Sequence, residues 1–157
     1  MTKLLGIKGS PRSESNSSLM LDKTVEGIKD NSPQELKSKI INPADMNISP
    51  CRGCSQCDEL GKCIIEDEMQ QLYKEFNQAD IILVSTSVFF NGVSAQLKTM
   101  IDRCQAIWGS KYRAQNSLID REKERVGILL ASGGAPAYKE QFTAVRKVIE
   151  MFFRVVN

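Results

Sequence analysis

Residues 81–84 read Ile81-Ile82-Leu83-Val84, four apolar positions in a row with no polar alternation. A strand wet on one face alternates apolar and polar residues, so a strand apolar at every position is covered on both faces, as in a parallel sheet sandwiched by helices. Just upstream, Met69, Leu72, Tyr73 and Phe76 fall at i, i+3, i+4 and i+7, the stripe of an amphipathic helix. Downstream, Leu97, Met100, Ile101 and Cys104 repeat the stripe, and Val126 to Ala131 repeats the buried strand. Phe142, Val145, Ile149 and Phe152 add a last amphipathic helix.

The N-terminal part has the same form. Leu4 to Ile7 is a short apolar run ending in Gly9-Ser10-Pro11, and Leu21, Val25 and Ile28 follow at helical spacing. Leu36 to Ile41 alternates apolar and charged residues, which suits a strand at a sheet edge. The elements therefore run β-α-β-α-β-α-β-α, and strict alternation specifies a doubly wound α/β sheet of three layers with right-handed crossovers. With Leu36 to Ile41 at the edge, the flavodoxin-like order 2-1-3-4-(5) fits, with a switch point between the first and third strands. A ligand is then expected over the loops after Ile7 and after Val84.

With 157 residues, 41% hydrophobic and 25% charged, the chain suits one compact domain, 1–157, carrying a cysteine-rich insertion loop at about 42–66. No apolar run approaches the roughly 20 residues that span a bilayer, and Leu4 to Ile7 is too short for a signal-peptide core, so a soluble cytoplasmic protein is expected. Lysine and arginine exceed acidic residues by only two and are scattered, which leaves no electrostatic footprint for nucleic acid. Histidine is absent, which excludes Ser-His and Cys-His nucleophiles and histidine-ligated metal sites. Chemistry is left to cysteine, carboxylates or a bound cofactor. The polar stretch Gly109 to Arg125 reads as a solvated connector away from the ligand.

Three loops follow buried strands at the same expected edge. The first, Gly9 to Ser18, opens a helix and offers Ser10, Arg12, Asn16, Ser17 and Ser18, the small hydroxyls, cation and helix N-terminus that a phosphate needs. It is neither G-x-x-x-x-G-K-[ST] nor G-x-G-x-x-G, so a mononucleotide phosphate matches better than a nucleoside triphosphate or a dinucleotide. A serine-rich helix cap is the plainer alternative. The second loop, Thr86-Ser87-Val88-Phe89-Phe90-Asn91, places aromatics beside Asn and Gly at a strand end, which suits a flat heteroaromatic ring, although core cover would explain them equally. The third, Ser132-Gly133-Gly134, lets backbone approach a ring closely.

Cys51, Cys54, Cys57 and Cys63 read C-x2-C-x2-C-x5-C. Such spacing lets four thiolates converge on an iron-sulfur cluster, while zinc, free thiols and redox disulfides remain open on the residues alone. Cys104 lies on the stripe with Leu97, Met100 and Ile101 and reads as a core residue.

The chain resembles the NAD(P)H-dependent FMN reductase family of flavodoxin-like proteins, and more narrowly the iron-sulfur flavoproteins. The matching residues are Gly9-Ser10-Pro11-Arg12, Asp67-Glu68-Met69, Thr86-Ser87-Val88-Phe89-Phe90 and Ala95 to Arg103, together with the cysteine spacing. Ser87 stands where the family usually has proline, and Phe89 where it often has tyrosine. The resemblance implies that the first loop holds the FMN phosphate, that Thr86 to Asn91 and Ser132 to Gly134 face the isoalloxazine through backbone groups, and that the four cysteines hold a 4Fe-4S cluster. It implies electrons from NAD(P)H as a transient donor, or from ferredoxin, passed to a small-molecule acceptor. No catalytic side chain is needed, because the flavin carries the chemistry. A reductase of FMN or quinones without a cluster, and a flavodoxin-like electron carrier, are the alternatives. The resemblance also implies a homodimer or homotetramer in which one subunit's cluster approaches another's FMN, with Phe89, Phe90 and Trp108 helping to cover the interface. It implies a fifth strand, for which the sequence up to Asn157 has no segment.

Overall fold

The strand that contains the all-apolar stretch, β3 (Ile81–Ser87), runs through the middle of a four-stranded sheet in the computed structural model, which describes residues 1–157. Ile82, Leu83 and Val84 are almost wholly buried, as their lack of polar alternation requires. β1 (Thr2–Lys8) pairs with it on one side and β4 (Val126–Ser132) on the other. β2 (Leu36–Ile41) pairs with β1 at the outer edge. All pairings are parallel, the order is 2-1-3-4, and the register sets Ile7 against both Ile41 and Val84. No helix is long and apolar enough to cross a membrane.

The two faces are covered unequally. On one, α1 (Asn16–Asn31) lays Leu21 and Val25 over Leu4 and Leu83. On the other, α3 (Met69–Gln78), α4 (Ala95–Arg103), α5 (Gln105–Tyr112) and α6 (Thr143–Val156) bury the main core against Leu5, Ile7, Ile82 and Val84. Phe76 of α3 meets Phe152 of α6 edge to face, with centroids 5.6 Å apart at 74°. Between β2 and α3 lie a single 3-10 turn, Pro43–Asp45, and a short helix, α2 (Gln56–Leu60).

Three expectations need correction. β4 is not a buried strand like β3: Val126 is 58% exposed and the residues after Gly127 are only half-buried, because β4 forms the open edge of this sheet. The stripe from Leu97 to Cys104 is not one helix. Cys104 ends α4 and starts α5, its N–H donating to the carbonyls of Ile101 and Asp102, while its thiol sits in the core as expected. Gly109 to Arg125 is not a solvated connector. Its first residues complete α5, and Gly109, Ser110, Lys111, Ile119 and Arg125 are buried. Arg125 donates to four backbone carbonyls, those of Phe76, Asn77, Asp120 and Lys123, which satisfies a buried cation without a carboxylate.

Candidate functional site

The carboxyl edge gathers the three loops after β1, β3 and β4 into one surface, and each join is a named hydrogen bond. Ser17 Oγ of the first loop lies 3.1 Å from Ser87 Oγ of the second. Val88 N–H donates to the carbonyl of Ser132 in the third at 2.9 Å. Tyr138 hydroxyl donates to Asn91 Oδ1, closing the second and third loops over each other. Gly9 N–H donates to Ser85 O, and Ser94 Oγ, the N-cap of α4, donates to Gly9 O. A Cβ on Gly9 would stand 2.6 Å from Ser85 O and 2.5 Å from Leu97 Cδ2, so only glycine permits this approach.

At the head of α1 the chain turns on Ser15, whose Oγ accepts from Ser18 N–H at 3.1 Å and donates to Ser18 Oγ at 2.8 Å. Ser15 is thus the N-cap, a role the sequence reading did not give it, although Ser is among the commonest caps. Of the five first-loop candidates, Ser10, Ser17 and Ser18 are buried, and the last two already have hydroxyl partners. Arg12 and Asn16 are exposed, Arg12 forms no ion pair, and the N–H groups of Asn16 and Ser17 have no acceptor. Open N–H groups at the positive end of a helix are donors of the kind that suit an anion.

Beside it, Val88, Phe90, Asn91, Gly134, Ala135, Tyr138 and Gln141 line an open cavity of about 390 Å³. Thr86 is buried, its hydroxyl donating to Ser87 O, whereas Phe89, Phe90, Gly133 and Gly134 are exposed. Phe90 and Asn91 both have positive φ, +47° and +62°, in a tight turn that pairs Phe89 with Gly92. Such a conformation costs a bulky side chain energy, and Phe90 is held in it fully exposed.

The second site lies on the helix face beyond α4. Cys51, Cys54, Cys57 and Cys63 all line one cavity of about 470 Å³, with Arg103, Gln105 and Ala106 in its wall. The four cysteines therefore border one space, although no three acidic or cysteine side chains stand together at metal-ligating spacing. Burial, with Asp58 beside it, pushes the Cys57 thiol up. α2 can seat against α5 because residue 109 is glycine: a Cβ there would lie 2.6 Å from Asp58 Oδ1.

An ion pair that sequence reasoning did not assign holds this loop. Arg103 donates to both carboxylate oxygens of Asp67, at 2.6 and 3.1 Å, and the two side chains are 0% and 3% exposed. Burial alone would raise the Asp67 carboxyl, but hydrogen bonds from Arg103, Ser49 N–H and Met69 N–H hold it below the usual carboxylate range. Arg103 falls on the apolar stripe of α4, three residues after Met100, and a charge at a core position was the signal that could have found it. The cysteine cavity borders the C-terminal end of α4 at Asp102 and Arg103, whereas the first edge loop meets its N-cap, Ser94, through Gly9; the nine residues of α4 span about 13 Å at 1.5 Å each.

Sheet order, helix layers and edge loops define a flavodoxin-like α/β protein. The chain belongs to the NADPH-dependent FMN reductase family, whose model matches residues 2–156. It is 38% identical over 105 residues to an iron-sulfur flavoprotein of Methanocaldococcus jannaschii, an alignment covering 67% of this chain and 53% of that protein. It is 32% identical over 131 residues to an iron-sulfur flavoprotein of Archaeoglobus fulgidus, covering 83% and 62%. The chain thus spans between about half and three-fifths of the length of these curated relatives. Among solved structures, an azoreductase of Bacillus anthracis superposes with a TM-score of 0.71 at 15% identity, covering 100% of this chain and 82% of that one. An NAD(P)H:quinone oxidoreductase from Methanothermobacter marburgensis superposes with a TM-score of 0.66 at 16% identity, covering 97% and 72%. At such identities the likeness concerns the fold.

Proposed function

We propose that this chain binds FMN across the three carboxyl-edge loops and a 4Fe-4S cluster at Cys51, Cys54, Cys57 and Cys63. It acts as an oxidoreductase, taking electrons from NAD(P)H or a ferredoxin and handing them to a small-molecule acceptor. The observation that carries the reading is the pair of open N–H groups at the head of α1, in the loop that bears the exposed Arg12 and is joined through Ser17 and Ser87 to the loop whose Val88 and Phe90 border a cavity with Gly134. Family membership and the names of the relatives support it.

Bound FMN supplies the hydride and electron transfer, and the protein supplies position and electrostatics. Asn16 and Ser17 N–H groups and the Arg12 guanidinium hold the phosphate. Ser15, Ser17, Ser18 and Ser87 are already bonded among themselves, so the loop needs little ordering when the ligand arrives. Backbone groups of Thr86, Ser87, Val88, Phe89, Phe90 and Asn91, and of Ser132, Gly133 and Gly134, face the ring, and no side chain serves as acid or base. The cysteines fit a cluster by donor chemistry: four cysteine residues bordering one cavity, with no histidine in the chain. Because α4 separates the two sites, the working form is a homodimer or homotetramer in which one subunit's thiol site meets another's ring site.

Anaerobic purification followed by a visible spectrum, iron and sulfide analysis, and NAD(P)H turnover with a quinone tests this. Flavin bands, iron and turnover are expected. Absence of flavin bands after reconstitution with FMN rejects the reading. A second reading, a reductase of FMN or quinones without a cluster, is favoured by one observation, the exposed and ungathered Cys51 and Cys54. Turnover with no iron would select it.

A further inference from the structure

We propose that Arg103 is the positioning residue of the cysteine site, closing the loop beneath the four thiols and offering its last free N–H to the anionic centre they hold. The inference rests on the reading that this centre is an iron-sulfur cluster.

A guanidinium has five N–H donors, and four of them are accounted for. Nη1 donates to Ser49 O at 2.8 Å and to Asp67 Oδ2 at 2.6 Å. Nη2 donates to Asp67 Oδ1 at 3.1 Å and to Ile65 O at 3.4 Å. Ser49 lies two residues before Cys51, and Ile65 two residues after Cys63. Both stems of the thiol loop therefore end on one side chain. Asp67 completes the closure by accepting from Ser49 N–H at 2.9 Å.

The fifth donor, Nε–H, is buried and has no partner. Leaving a buried donor unmade destabilises a fold, so such a group calls for an acceptor. Arg103 stands in the wall of the cavity that the four cysteines line, and four thiolates bring negative charge and sulfur acceptors to that space. The cavity's other cation, Arg52, is exposed, so Arg103 is the buried positive charge of the site. One-electron reduction of a cluster held there would add negative charge, which a buried cation in the wall would favour.

The test uses the whole chain reconstituted without oxygen with iron, sulfide and FMN. Iron content, the cluster's midpoint potential by dithionite titration, and thiol alkylation of the metal-free protein are measured for wild type, Arg103→Gln, Arg103→Lys and Asp67→Asn. Arg103→Gln is expected to bind iron about 10- to 100-fold more weakly, the usual effect of removing a partner of metal ligands. Its metal-free thiols alkylate faster than those of wild type, and its potential falls. Asp67→Asn leaves the guanidinium uncompensated, so its potential shifts the opposite way. Arg103→Lys keeps the charge and loses the fork: weaker iron binding, with a potential nearer wild type. A purely structural Arg103 would loosen iron binding but leave the potential in place, and unchanged potentials in an iron-loaded set overturn its role alone. Equal alkylation in wild type and Arg103→Gln overturns the closure. A wild-type chain that takes up no iron overturns the cluster reading itself, and the donor role with it.

Discussion

The three loops at the carboxyl edge and the cysteine loop beyond α4 are ordered by different means. The edge loops each leave a strand of one parallel sheet, so the ladder that pairs Ile7 with Val84 and Val84 with Leu129 also aims the loops at one another. Short bonds such as Ser17 to Ser87 and Val88 to Ser132 then finish the surface. The cysteine loop has no ladder. It contains a five-residue helix, and a buried ion pair on α4 gathers its ends. A surface built by the sheet tolerates loss of a side chain, whereas one gathered by a single pair does not, and this sets the order of expected effects.

The largest effect is all-or-none. Cys54→Ala should abolish iron binding and leave FMN binding near wild type, because no edge loop touches the cysteine cavity. Cys104→Ala should leave iron intact, Cys104 being only 2% exposed in the core. Iron analysis beside FMN titration checks both, and loss of FMN with the iron would break the separation of the two regions.

Next comes the ion pair. Removing one partner of a buried pair strands the other charge, so Asp67→Asn should cost about 3–5 kcal/mol of stability. The same pair gives the cysteine loop an acid limit. Asp67 is held below its unfolded value of about 3.9, so the unfolded chain takes up its proton first as pH falls. The contribution is whole above that value and is lost as pH drops through the folded one. Hydrogen exchange between pH 6 and pH 3 should therefore open Ser49 and Met69 amides before those of Gly9 and Val88, and simultaneous opening would erase the contrast.

Arg12→Ala is smaller. One charge-assisted hydrogen bond is worth about 1.5–3 kcal/mol, and FMN titration should show a loss of that size. Thermal stability without FMN should not move, since Arg12 forms no ion pair. Unchanged FMN affinity would take the phosphate away from this loop.

The same contrast explains what the residues revealed in advance. Period and polarity are local, so Ile81 to Val84, the alternating Leu36 to Ile41 and the stripe of α3 were legible, and with them the sheet order that brings the edge loops together. The open edge at β4 was not, because Ile128 to Leu130 are as apolar as a strand covered on both sides. Nor was the clasp. Asp67 and Arg103 stand 36 positions apart, and only the fold shows that the two motifs carrying the family resemblance meet. The polarity of Gly109 to Arg125 misled for a related reason. Lys111 and Arg125 are buried because backbone carbonyls, invisible in a sequence, satisfy them, Lys111 donating to Val155 O and Asn157 O.

The smallest effect on stability carries the sharpest test of the edge surface. Phe90 holds φ at +47° with its ring wholly exposed, so it has the strain of a left-handed residue and no burial to offset it. Phe90→Gly relieves that strain but gives the unfolded chain more freedom, and the two effects oppose each other at about 1 kcal/mol each. The melting temperature without FMN should therefore stay within a few degrees of wild type. If the turn holds its aromatic ring for a ligand or a second subunit, FMN affinity or assembly of the holoprotein should fall in the same variant. Sedimentation and FMN titration separate the two outcomes. A variant unchanged in all three measurements would make Phe90 an ornament of the turn and leave backbone groups alone to hold the ring.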